Sequence, residues 1–277
     1  MGLSGANATE ARADAVGNCL HEVGHLAWAA GDLFDAPSGL TQQRHMYQLC
    51  ADAAGWPPAE DAACEDAQAA LAALSFCSHG GSHQGAMRKG LNAERPRLSP
   101  PSDCVGAPEV AAPYGCFQRW TQSAPTRGGP TASVAPCEKI ADDVKLRMAC
   151  YAGIAGRLAF GSAWTQQPCE KRHKVVADYA AAVLDAEARQ AAPAPAAMVA
   201  RVAVRGATKQ WTKYSVCSAS LCDPLESYPA LGAHAAAAAA ACRTALSTAR
   251  YDLDSPALAD YARGAPPSLE ARCWGGP

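Results

Sequence analysis

Alanine-rich runs punctuated by proline dominate the pattern of this chain, and the alternation of β-branched or aromatic residues with polar ones that marks strands is nearly absent. Alanine loses no side-chain entropy in a helix, so such runs predict helices over about residues 8–30, 40–54, 60–77, 82–92, 137–160, 170–191, 229–250 and 255–263. The last of these opens with Ser255 as N-cap and Pro256 at the first helical position. Segments 93–115 and 121–136, rich in proline, glycine and serine, read as long loops, and AAPAPAA at 191–197 reads as a linker. VARVAVRG at 199–206 is compatible with either a short strand or a helix.

Cysteine changes this picture from a bundle to a stapled one. The chain has 13 cysteines in 277 residues, spread along its length instead of grouped as CxxC pairs. That usage points to disulfides and an extracytoplasmic compartment, periplasmic or secreted. An odd count leaves at least one cysteine as a free thiol, a metal ligand or an intermolecular link. Spacing suggests repetition: twelve residues separate Cys64 from Cys77 and Cys137 from Cys150, and eleven separate Cys104 from Cys116. The fold class expected is therefore all-α, a disulfide-stapled helical repeat or bundle with long Pro/Gly-rich loops. A single helical domain over 1–277 is expected, with Cys/His units at about 8–92 and 104–163 and a C-terminal helical segment at about 166–277 around the 191–197 linker.

Two of the units share histidines as well as a cysteine. Cys19 is followed by His21 and His25, and Cys77 by His79 and His83, so the pattern C-x-H-x3-H occurs twice and uses four of the seven histidines. Residues i and i+4 share a helix face, so each pair presents two imidazoles to one ion, and two such helices packed together would assemble a four-histidine or dinuclear site. Met87, one turn beyond His83, would suit copper, while Asp32 would suit zinc or iron. His45, His173 and His234 remain as further ligand candidates. Packing is the competing account: the imidazoles would then bond to backbone carbonyls in a core short of large side chains. Gly80 and Gly81 interrupt the second pair at a cost of about 1 kcal/mol each relative to alanine, which places that pair at a helix start or at a close backbone approach.

The stretch Asn18–Ala27, with HEVGH inside it, resembles the HExxH zinc-metallopeptidase signature. The resemblance covers about ten residues, and it implies zinc ligands at His21 and His25 and a general base at Glu22. The sister motif has Gly80 where Glu22 stands, so the element shared by both copies is the histidine pair. In its paired HxxxH spacing the chain also resembles type 3 copper proteins, which implies oxygen chemistry by analogy.

The charge balance, 24 basic and 26 acidic residues for a net −2, provides no footprint for nucleic acid. The longest apolar run, seven alanines at 235–241, is too short to span a bilayer. The first nineteen residues lack the basic and apolar regions of a signal peptide, so a mature form with an added Met is expected. No GxSxG elbow, phosphate-binding glycine loop or CxxCH haem site occurs. The reading is an exported metalloprotein with ligands His21, His25, His79, His83 and Met87, using copper for redox or oxygen chemistry on a small-molecule or peptide substrate. Its alternatives are a zinc-dependent hydrolase with Glu22 as base, and a non-catalytic metal-binding or structural helical module.

Overall fold

The computed structural model describes residues 5–31, 39–85, 129–160, 169–204, 222–247 and 265–274. All regular structure among them is helical, and four disulfides staple it. In chain order the helices are α1 (Gly5–Gly31), α2 (Gly39–Ala54), α3 (Cys64–Gly85), α4 (Gly129–Glu138), α5 (Val144–Phe160) and α6 (Cys169–Ala188). They continue with α7 (residues 196–204), α8 (Asp223–Glu226), a 3-10 turn (Pro229–His234), α9 (Ala235–Ser247) and α10 (Pro267–Trp274). None of the described helices is long and apolar enough to cross a membrane.

Where the sequence suggests one domain, the Cα packing separates two compact units: Met1–Cys116 with Tyr251–Pro277, and Phe117–Arg250. Residues 166–277 are thus divided between units, and the C-terminal helix α10 belongs with the N-terminal ones.

The first unit packs α1, α2 and α3 together. Helix α2 stops where the sequence signals it: Gly55 takes φ 67°, Trp56 N–H bonds Ala51 O at 2.9 Å and Gly55 N–H bonds Asp52 O at 3.3 Å. That is the paired hydrogen-bond pattern of a Schellman cap, which a side chain other than glycine would strain. Cys50 and Cys77 join α2 to α3, and Cys64 and Cys273 join α3 to α10 across 209 residues of sequence. Cys64 and Cys77 both lie on α3, about 20 Å apart along its axis at 1.5 Å per residue, so they cannot pair with each other. In the second unit Cys137 and Cys150, with the same spacing, do pair, because the chain turns between them at residues 139–143. Equal spacing therefore does not mean equal connectivity. Cys104, Cys116 and Cys217 lie outside the described residues.

The second unit brings α4, α5 and α6 around Val134, Met148, Tyr151, Ile154, Tyr179 and Val183, all buried. Its polar centre is Arg147, fully buried, whose Nε and one terminal nitrogen grip the Glu187 carboxylate at 2.8 and 2.6 Å. The other guanidinium hydrogens donate to Ile140 O, Ala141 O and Ala192 O, and Ala194 N–H donates to Glu187. Cys222 and Cys242 join α8 to α9.

Several expectations shift. The helix expected over 137–160 breaks at 139–143, where the Asp143 carboxylate accepts from Leu146 N–H at 2.8 Å and starts α5. Residues 129–136, expected as loop, form most of α4: Pro130 sits in the first turn, where no N–H is required, and Pro136 sits near the end. The ambiguous stretch from 199 is helical through residue 204. The helix expected at 255–263, the loop at 93–115 and most of the helix at 82–92 lie outside the described residues.

Candidate metal centre

The centre sits where α1 crosses α3. Neither glycine between the two histidines of the second motif starts a helix: α3 runs unbroken through Gly80 and Gly81 to Gly85. The reason is contact. A methyl group built on Gly80 would overlap the carbonyl oxygen of His21, and one on Gly24 would overlap the carbonyl oxygen of Cys77. Each glycine therefore lets its helix approach the other's backbone, and the resulting packing outweighs the helix-propensity loss of about 1 kcal/mol per glycine. Polar bonds from α2 brace the crossing. Gln42 donates to Trp28 O at 2.7 Å, satisfying a carbonyl of the last turn of α1, while Gln43 donates to Ser82 Oγ on α3 at 2.9 Å.

This approach delivers three imidazoles to one place. The His21 ring meets the His25 ring edge-on with centroids 4.7 Å apart, and meets the His79 ring of α3 edge-on at 4.8 Å. His21 is buried, whereas His25 and His79 are partly exposed, so the cluster has a solvent-facing side. Glu22, 69% exposed, places Oε2 at 3.2 Å from His25 Nδ1. A carboxylate on Nδ1 favours the tautomer with the proton there and leaves the Nε2 lone pair available, the arrangement in which an outer partner orients a histidine.

Candidate ligand atoms of His21, Glu22 and His25 lie within 4.8 Å of one another. Metal–nitrogen bonds of about 2.0–2.1 Å in tetrahedral geometry need roughly 3.4 Å between ligand atoms. The trio is therefore more open than a closed tetrahedral site.

Of the residues singled out from sequence, the structure brings together His21, Glu22, His25 and His79. His83 continues α3, with its side chain outside the described set, and Met87 and Asp32 are likewise outside it. His45 is exposed on α2, and His173 and His234 belong to the second unit. Sequence reasoning passed over Gly24, whose signal is its place three residues after His21, opposite a glycine pair on the partner helix. Cys19 and Cys77 head the two motifs but differ in state: Cys77 is buried in a disulfide, and Cys19 is an exposed free thiol. The chain matches no protein-family model, no curated protein and no solved structure.

Proposed function

We propose that this chain is an exported metalloprotein that holds a transition-metal ion between α1 and α3 through His21, His25 and His79. The observation that carries the reading is the His21 ring in edge contact with His25 of its own helix and with His79 of α3, with a carboxylate on Nδ1 of His25. Copper fits an imidazole set in an oxidising compartment, as zinc fits the imidazoles, and the four disulfides support that compartment. Copper there would supply electron transfer or dioxygen chemistry to a small substrate reaching the solvent-facing side. In this reading Glu22 orients His25. A zinc-dependent hydrolase is the second reading, favoured by the compact trio His21, Glu22 and His25, and it needs Glu22 as base.

The test is titration of the chain with Cu(II) and Zn(II) by calorimetry and paramagnetic resonance, alongside His21→Ala, His25→Ala, His79→Ala and the exposed control His45→Ala. Copper binding with nitrogen hyperfine structure, weakened a hundredfold or more by each of the first three variants and unchanged by the control, is expected. Glu22→Gln should weaken it about 10–100-fold, as loss of an outer-shell partner does. Loss confined to His21→Ala and His25→Ala, with zinc bound and peptide hydrolysis abolished in Glu22→Gln, would establish the hydrolase instead. Binding no tighter than that of the triple-alanine variant would remove the site altogether.

A further inference from the structure

Helix α1 carries two stripes. Gly17, His21, Gly24 and Trp28, spaced 4, 3 and 4, are buried within the first unit. A second stripe at Val16, Cys19, Val23 and Leu26, spaced 3, 4 and 3, is exposed: Val16 by 39%, Val23 by 40% and Leu26 by 70%, with the Cys19 thiol free among them. Cys19 and His21 are about 200° apart around the helix at 100° per residue, so Cys19 faces away from the histidines.

The second stripe is a coiled-coil seam in miniature. With Val16 and Val23 at a positions and Cys19 and Leu26 at d positions, it has the β-branched a and leucine d that favour two parallel strands. Among the described side chains of α1 only Glu22 is charged, at a g position, so the a and d positions of the seam bring no like charges together in a parallel pair.

We infer that this face of α1 is the interface of a homodimer in which α1 pairs with α1 of a second copy, locked by a Cys19–Cys19 disulfide. The occupant is argued from the sulfur. In a parallel pair each d residue meets its own equivalent across the two-fold axis, so Cys19 faces Cys19. Eight other cysteines are already oxidised in pairs, so the chain matures where thiols do not survive in apposition. Two Cys19 thiols give up two protons and two electrons to form the S–S bond, and a disulfide oxidant takes both and leaves as two thiols. A four-residue seam is too short to hold two chains by burial alone. It aligns the sulfurs, and the covalent bond then makes the remaining contacts intramolecular. The seam lies on the face of α1 opposite His21, and Glu22, which flanks the seam and reaches His25 Nδ1 at 3.2 Å, is the one residue common to both features.

The experiment uses the full chain, exported with its disulfides intact and quenched with N-ethylmaleimide. Non-reducing electrophoresis should show a species of twice the chain mass, and mass spectrometry of the unreduced digest should find the Cys19 peptide linked to itself. Cys19→Ser should abolish that species and leave a weak, concentration-dependent dimer in sedimentation. Adding Leu26→Glu at the most exposed seam position should weaken that dimer at least tenfold, with an unchanged circular dichroism spectrum. Three results would overturn the inference: a monomer whose Cys19 takes up one maleimide per chain, Cys19 bonded to another cysteine of its own chain, or a dimer that persists in Cys19→Ser/Leu26→Glu.

Discussion

Both units bury a polar cluster, and the two clusters differ in what is left over once the chain has used them. Around Arg147 all five guanidinium N–H groups are committed, two to the Glu187 carboxylate and three to backbone carbonyls of the flanking turns. Such a cluster closes on itself. It fixes the turns at 139–143 and 189–195 and has no capacity for a ligand. At the α1–α3 crossing the polar groups are imidazoles in edge contact, able to serve as ligands and partly open to water. Burial of charge alone thus does not mark a candidate site; the crossing is one because its ring nitrogens are gathered by backbone contact and keep a solvent-facing side.

The sharpest way to break this comparison is to open the closed cluster. Arg147→Met leaves the Glu187 carboxylate buried and unpaired, and should cost about 3–5 kcal/mol in urea unfolding, with Arg147→Met/Glu187→Leu recovering most of it. A loss confined to a few tenths would mean the cluster is wetter than its burial implies.

Next in size is an alkaline effect from the same unit. Burial raises the hydroxyl pKa of Tyr179 well above its ordinary value, and burial followed by the Glu187 charge raises that of Tyr151. The folded chain therefore keeps protons that the unfolded chain releases above about pH 10. Stability is full below that pH and falls as pH rises, by about 1.4 kcal/mol per pH unit for each such tyrosine. Ultraviolet titration should find Tyr151 and Tyr179 silent until unfolding, so that replacing both with Phe leaves the number of tyrosines titrating in the folded chain unchanged.

The smallest effect belongs to the crossing. Gly80→Ala would gain about 1 kcal/mol in a free helix but here meets the His21 carbonyl, and should instead destabilise by about 1–3 kcal/mol. A stabilising result in thermal unfolding would show that the helices do not touch at this point.

Helical class was legible because alanine runs leave the backbone few other choices, and the Gly55 stop of α2 was legible because glycine after a helix has one common use. The unbroken course of α3 was not. Propensity counts Gly80 and Gly81 as a break, and only the backbone of α1 against them reverses the balance. Disulfide pairing was illegible for a related reason: Cys64–Cys77 and Cys137–Cys150 have the same spacing, but whether a turn falls between them depends on Asp143 and its bond to Leu146. The start of α10 did carry a signal in Pro267 at the first helical position, yet its attachment to α3 through Cys273 and Cys64, far away in sequence, carried none. Within the site, the duplicated motif picked out His21, His25 and His79, but not the two glycines that let the helices approach.

The Cys64–Cys273 bond also sets an order on biosynthesis. A ribosome makes Cys64 early and Cys273 more than two hundred residues later, so this staple waits until the far end of the chain has been made and delivered. In the middle unit, contiguous in sequence, the pairs among the described residues span only 13 and 20 residues. Until residue 273 arrives, the Cys64 thiol stays open to wrong partners, so the unit that holds the α1–α3 crossing is the one exposed to mispairing for the longest stretch of synthesis.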